Sequence, residues 1–519
     1  MLLRASFMKH LSPAKTAFEF FTTRPTIDTV LKELKTQPAG HWERRGERYA
    51  LAVFRYAYKT VPAYRKFLKA HGVDGDKIKT LADFKTLPVM DKETYLKKYD
   101  YGDLFPHRDL SRVTTISATS GSTGEPFYFP RGEEQDWQAR YVGEIFLANQ
   151  FGIRDKKTLG IIGFGMGIWI GGILTYKYFN TLAQKGYQLA SIPTGSNVET
   201  CLKAIKKFAH LYEQVILVGY PPFVKDIIDQ AGEYGIDWKK HSVKILTAAE
   251  GYSEDFRAYL AQKAHLKNPL TDTINIYGTV ELGTMAHETP LSNLIRKIAV
   301  SRPEIFRAIF PDASRLPTLV QYHPYIVYFE EHAGEVVATG TGCSMPLVRY
   351  RFPDRGGVIP FDEMVSKLKS AGVDIAAEAR KHKIADMILR LPFVYIYERS
   401  DHAVIIRGAN IYAEEVRHAL QSASLEKYVT GKFTMARAES KTMDEYLEIN
   451  VELKKDTHAS ADFAQKIQSA VVDYLKTKNS EYADQYQSVP KLMTPPIILW
   501  PYGHELHFKP GAKQKWVKK

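Results

Sequence analysis

The sequence predicts an α/β fold: a large N-terminal domain on mixed or parallel sheets, then a small C-terminal α+β domain. Three observations lead there. Short apolar runs alternate with helix-period segments between residues 159 and 277, the rhythm of strand–helix–strand units that lay strands in parallel. The pattern changes near residue 400, where shorter strand–helix units begin and run to a lysine-rich end. The length of 519 residues exceeds what one core usually serves. The boundary is expected at 399–401, dividing the chain into 1–398 and 399–519.

The elements follow in order. Residues 46–69 are helical and charged, and 81–99 break into short helical pieces around Pro88. The β-branched run Val113-Thr114-Thr115-Ile116 leads into a string of glycine and hydroxyl residues. Strands are expected at 159–162, 214–218, 243–247 and 273–277, with helices at 201–211, 223–234 and 254–264 between them. Residues 325–339 read as antiparallel strands turning at Gly334. The segment 291–310 is amphipathic and basic, which suits a pair of surface helices on the core or, as the alternative, a face touching a membrane. A charged helical insert covers 361–383. Beyond the boundary, 403–406 is a strand and 413–421 a helix. No internal repeat is visible.

Composition narrows the classes. The chain is 45% hydrophobic and 25% charged, ordinary for a globular protein. Cys201 and Cys343 are far apart with no metal-ligand spacing, which argues against zinc and for a reducing compartment, the cytoplasm. The net charge of +13 suits an anionic partner. The basic residues are scattered and build no nucleic-acid motif. The N-terminus lacks a secretory signal. Residues 159–176 carry no charge and are long enough to span a bilayer. Six glycines, from Gly160 to Gly172, argue instead for a buried strand, a glycine-rich loop and the start of a pocket-lining helix.

The loop Ala118-Thr119-Ser120-Gly121-Ser122-Thr123-Gly124-Glu125-Pro126 is the main chemical signal. Glycines let backbone approach a ligand, and N–H groups and hydroxyls can converge on phosphate oxygens. The other reading is a Ser/Gly-rich surface turn. Further pieces follow in order: Ala248-Ala249-Glu250-Gly251 ends a strand, and Tyr277-Gly278-Thr279-Val280-Glu281 places an aromatic and a carboxylate at the end of the next. Arg349-Tyr350-Arg351-Phe352-Pro353-Asp354-Arg355 comes later. Glu398-Arg399-Ser400-Asp401-His402 leads to Ile405-Ile406-Arg407-Gly408-Ala409-Asn410. Ala512-Lys513-Gln514-Lys515 closes the set.

This order resembles the AMP-forming adenylating enzymes, a superfamily of acyl-CoA synthetases and their relatives. It is most similar to the phenylacetate–CoA ligase-like branch. The closer likeness rests on Val61-Pro62-Ala63-Tyr64-Arg65, Leu87-Pro88-Val89-Met90-Asp91-Lys92, Gly163-Phe164-Gly165-Met166-Gly167, Ile192-Pro193-Thr194-Gly195-Ser196 and Gly219-Tyr220-Pro221-Pro222. Residues 1–55 and 289–319 lie outside it. The resemblance implies a large adenylate-forming domain, a mobile C-terminal domain turning about Asp401, and the partners ATP, Mg²⁺, a small carboxylic acid and CoA or a carrier-protein thiol.

It also implies roles. Thr119, Ser120, Gly121, Ser122, Thr123 and Gly124 would hold the phosphates. Tyr277 would stack on adenine, with Gly278 and Thr279 beside it and Ala249 and Glu250 at the pocket edge. Glu281 would bind Mg²⁺. Asp354 and Arg399 would hold the ribose, and Lys513 would meet charge developing at the α-phosphate. Gly408 would flank the thiol arm. The chain departs from the family pattern in having Glu125 for a basic residue, Pro353 for a glycine, Glu398 for a glycine and Ala512 for a glycine. The expected reaction is acid activation to acyl-AMP and transfer to CoA. Its alternatives are transfer to a carrier-protein thiol or an amine, or a degenerate binding protein.

Overall fold

The computed structural model describes residues 26–118, 126–311, 316–399, 403–422, 424–425, 427–455, 457–504, 507–508 and 517, with backbone only at 398 and 399. Strands β1 (Val113–Ala118) and β2 (Tyr128–Gly132) form an antiparallel ribbon flanking the glycine-rich string. Next come β3 (Thr158–Ile162), β4 (Leu189–Pro193), β5 (Gln214–Gly219), β6 (Val243–Ala248) and β7 (Thr273–Thr279). They lie parallel in the order β4-β3-β5-β6-β7.

The sheet continues antiparallel through β8 (Gly283–His287), β9 (Thr318–Tyr322), β10 (Val327–His332), β11 (Glu335–Gly340), β12 (Leu347–Ile359) and β13 (Phe393–Arg399). The result is one 11-stranded mixed sheet, β10-β11-β12-β13-β9-β8-β7-β6-β5-β3-β4.

The central parallel strands are mostly apolar and buried because helices cover both faces. Val215 and Leu217 face one core, with Leu202, Ile205, Val224 and Phe256. Ile216 and Val218, one residue out of phase, face the other core with Phe179 and Leu182. The uncharged 159–176 stretch divides as its glycines indicate. It gives β3, a loop, and a helix Ile170–Gln184. Gly163 is obligatory there, because a Cβ would lie 2.2 Å from Phe223. Among the described residues no helix is long and apolar enough to cross a membrane.

Expected and observed elements differ mainly at their ends. The 46–69 pattern is two helices, Ala39–Thr60 and Pro62–Ala70, since Pro62 lacks the N–H that would continue the first and suits the opening of the second. The 223–234 helix starts earlier, as Pro221–Gln230, and ends in a 3₁₀ turn. The amphipathic basic segment is the helix pair Pro290–Ser301 and Pro303–Ile309. Its Leu294, Ile295 and Ile305 are buried against Met364, Leu368 and Ala379 of the charged insert, so the core, not a membrane face, takes its apolar stripe.

The C-terminal residues build a core of their own. β14 (Ala403–Ile406) and β15 (Ala409–Tyr412) form a hairpin, and β16 (Val429–Glu439), β17 (Glu445–Leu453) and β18 (Ile497–Trp500) a second sheet. Helices Ala413–Leu420 and Ala461–Lys478 pack on them through Val416, Leu420, Ile467, Val471 and Leu475. This is the smaller α+β unit expected after residue 400.

Candidate active site

A cavity of about 1220 Å³ opens where β6 and β7 end and where the C-terminal segment faces the large sheet. The carboxyl ends of parallel strands are the usual ligand site of open α/β sheets, because the loops leaving them splay apart. Ala249, Glu250, Tyr277, Gly278, Thr279, Glu281, Asp354 and Gly408 all line this one cavity. Arg399 lies opposite Asp354 in the β12–β13 ladder. Thr119, Ser120, Gly121, Ser122, Thr123, Gly124 and Lys513 lie outside the described residues, as do Glu125 and Asp401.

Local backbone sets each group. Ala249 has φ 74°, a left-handed conformation uncommon for a residue with a Cβ, and it turns the chain sharply off β6. β7 runs past Tyr277 to Thr279, so Gly278 and Thr279 are ladder residues rather than loop. Gly278 is needed because a Cβ would lie 2.6 Å from the Gly283 carbonyl. Glu281 then sits in the β7–β8 turn, where Tyr350 donates to its carboxylate at 3.4 Å. The Tyr277 hydroxyl donates to Asp354 Oδ2 at 2.6 Å. Its ring lies 6.2 Å from that of Phe329, nearly parallel.

Glu250 lines the cavity with its side chain fully buried, and its carboxylate also meets the C-terminal segment. It accepts the Gly408 N–H and lies 3.9 Å from Arg437 Nη1. Arg407 and Gly408 both have positive φ, 52° and 86°, as a two-residue hairpin turn of the mirror-image kind requires. A Cβ on Gly408 would lie 2.3 Å from the Tyr220 ring. Arg407, 1% exposed, pairs with buried Asp226. Lys225 pairs with Asp444 at 2.6 Å beside it.

Sequence reasoning missed Arg131. This residue of β2 is 2% exposed, and its guanidinium donates to the carbonyls of Val280 and Gly342. It thereby fastens the turn carrying Glu281 to the strand leaving the glycine-rich loop. Burial lowers its pKa, opposed by Cys343, Asp136 and Glu281. An arginine in a strand offers no signal of this fate, since arginines are mostly exposed. Arg437 and Glu445 were missed as well. The Leu87–Lys92 motif finds a physical role: Met90 bridges to β12 through Arg349 and Arg351, and Asp91 pairs with Arg351 at 2.6 Å on the cavity wall.

The apolar wall is built by Phe164, Trp169, Ile170, Leu174, Tyr178 and Tyr220. Tyr178 and Phe164 are buried by the fold itself. Phe164 meets Tyr220 edge to face at 5.1 Å. Both cysteines are buried and unpaired.

No family model matches the chain. Among curated proteins it is 24% identical over 379 residues to a phenylacetate–coenzyme A ligase of Aromatoleum evansii, covering 70% of this chain and 72% of that protein. It is 22% identical over 371 residues to the phenylacetate–coenzyme A ligase of Escherichia coli, covering 70% and 73%. Among solved structures it is similar to a 2-hydroxyisobutyryl-CoA ligase in complex with 2-HIB-AMP and CoA in the thioesterification state. The TM-score is 0.64 at 16% identity over 94% of this chain and 91% of that one. The same ligase in the postadenylation state gives a TM-score of 0.53 at 15% identity, over 94% and 90%.

Proposed function

We propose that the chain, similar over 70% of its length to phenylacetate–CoA ligases and in fold to a 2-hydroxyisobutyryl-CoA ligase, is an acyl-CoA ligase of the adenylate-forming superfamily that activates a small carboxylic acid with ATP and passes the acyl group to CoA. In the first half-reaction a carboxylate oxygen attacks the α-phosphorus and pyrophosphate leaves, giving acyl-AMP. In the second, the thiol sulfur attacks the acyl carbon, AMP leaves and the thiol proton passes to solvent.

The observation that carries this reading is the Arg407–Gly408 turn lodged at the cavity mouth against Tyr220 and Glu250. The hairpin held there forms part of the cavity wall. The closer overlay on the thioesterification state of 2-hydroxyisobutyryl-CoA ligase than on its postadenylation state supports taking this posture as the one for thiol transfer. We place the domain boundary at 398/399 and the pivot at Asp401. Adenylation would need the C-terminal domain turned so that Lys513 reaches the α-phosphate.

The cavity exceeds the roughly 300–1,000 Å³ of most small-molecule pockets, which suits a nucleotide together with an acid. Tyr277 would present its ring to adenine. Asp354, joined to Tyr277 by a hydrogen bond, would accept from the ribose hydroxyls, with Arg399 supporting the same sugar. Residues 119–124 would take the phosphates. Glu281 offers an oxygen donor on a fixed turn, which fits a hard cation, and Mg²⁺ held there would offset triphosphate charge. The aromatic wall favours an aromatic or medium-sized apolar acid.

Pyrophosphate release over a panel of acids, with and without CoA, tests the proposal. Release with at least one apolar acid, raised by CoA and accompanied by thioester, is expected. Nucleotide binding with no pyrophosphate from any acid would turn the reading toward a binding protein. Release without thioester, relieved by a carrier-protein thiol or an amine, would change the acceptor.

A further inference from the structure

Two buried carboxylates meet across the boundary between the large domain and the C-terminal segment. Glu250 follows β6, Glu445 opens β17, and both side chains are wholly shielded from solvent. Arg437, on β16, donates to Glu445 Oε1 and to the Gly251 carbonyl, the latter at 3.1 Å. The Gly408 N–H occupies Glu250 Oε1. This leaves Glu250 Oε2 and Glu445 Oε2, each buried and each without a hydrogen-bond donor among the described residues. The two carboxyl groups are within hydrogen-bonding reach of one another. Ionised carboxylates only accept, so two facing carboxylate oxygens have no bond to make unless one carries a proton.

We propose that docking of the C-terminal segment takes up one proton, which Glu250 and Glu445 share.

The surrounding charge agrees. Among the described residues one guanidinium, Arg437, serves both carboxylates, and Glu439 stands opposite Glu445 in the β16–β17 ladder. Of the neighbouring cross-boundary contacts, Asp226 pairs with Arg407, and Lys225 is shared between Asp444 and Asp229. Burial, opposed by Arg437 and reinforced by Glu250, pushes the Glu445 carboxyl up to about 8. Undocked, its end of the pair meets water and returns toward the ordinary value of about 4.3.

The docked state therefore binds more protons between these limits. Docking is favoured at the acid end of the window and weakens by up to about tenfold per pH unit as pH rises toward about 8. Glu415, also pushed up to about 7 by burial, bonds to Tyr412 and Asn479 of its own segment. A pH effect carried by Glu415 would survive changes at Glu445.

The inference rests on the two-posture reading above. It is tested without substrate by energy transfer between dyes on Lys206→Cys and Lys466→Cys, both at exposed positions. In the otherwise wild-type protein the docked fraction should fall between about pH 5 and about pH 8, with a limiting slope of one proton. Glu445→Gln and Glu250→Gln, placed on opposite sides of the boundary, should each flatten that slope. A docked fraction that is constant or rises with pH overturns the proposal even if neither variant folds. So does a slope that persists in a folded variant. A chain that docks with the expected slope yet makes no thioester would defeat the functional reading and leave the shared proton standing.

Discussion

The backbone N–H of Gly408 donates to the carboxylate of Glu250, joining a C-terminal hairpin to the strand end where the large domain's cavity opens. The contact tolerates no side chain at Gly408, for two separate reasons. Its φ of 86° is a glycine conformation, and a Cβ would lie 2.3 Å from the Tyr220 ring. Gly408→Leu should therefore block docking, lowering thiol transfer from supplied acyl-AMP by about 10²-fold, as misplaced reacting groups typically do. Adenylation, which uses the other posture, should stay near wild type. Equal loss of both half-reactions would sink the two-posture account.

Glu281→Gln keeps the shape of the β7–β8 turn and removes one charge. Pyrophosphate release should fall by about 10²–10³, the usual cost of losing one positioned electrostatic contact. The melting temperature should hardly move, because among the described residues the carboxylate accepts only a 3.4 Å bond, from Tyr350. Normal release from a cooperatively melting variant would remove Glu281 from the reaction.

Arg131→Met should damage both stability and adenylation. It leaves the Val280 and Gly342 carbonyls without their donor, at about 1.5–3 kcal/mol for each charged hydrogen bond lost. It also frees the turn that aims Glu281. Denaturant unfolding reports the first effect and pyrophosphate exchange the second. Unchanged exchange in the folded fraction would mean that Glu281 does not depend on this clamp.

Four of the five parallel strands were legible because burial on both faces makes them largely apolar; the half-exposed edge strand β4 was not. Gln214-Val215-Ile216-Leu217-Val218 could be little else. The eight cavity residues named from motifs converge because strand ends bring together groups far apart in sequence. What could not be read was contact made at a distance. Nothing around Arg131 marks it as buried, and nothing local joins Glu250 to Arg437 and Glu445. The extension of β7 through Gly278 was hidden too, since glycine weakens a strand pattern. Here it permits the close approach of Gly283.

His287 and His323 are neighbours in the core, both 1% exposed, with ring centroids 5.7 Å apart and planes tilted by 31°. Burial lowers the His287 pKa to about 4 and holds that of His323 well below its ordinary value. Each is depressed relative to the unfolded chain, so the unfolded state binds more protons between about pH 6.5 and about pH 4. Stability present above that window should be lost as pH falls through it, by about 3 kcal/mol for His287 alone. Chemical denaturation across the range checks this, and a stability that rises on acidification would contradict it.

The most direct test of an acid–thiol ligase that works through acyl-AMP follows the oxygen. If a carboxylate oxygen attacks the α-phosphorus, an acid labelled with ¹⁸O in its carboxylate must leave one labelled oxygen in AMP once CoA has taken the acyl group. Mass spectrometry of the nucleotide product, with the best acid from the pyrophosphate panel, reads this out. The account predicts labelled AMP together with unlabelled pyrophosphate. Label in inorganic phosphate beside ADP, or unlabelled AMP, would contradict it.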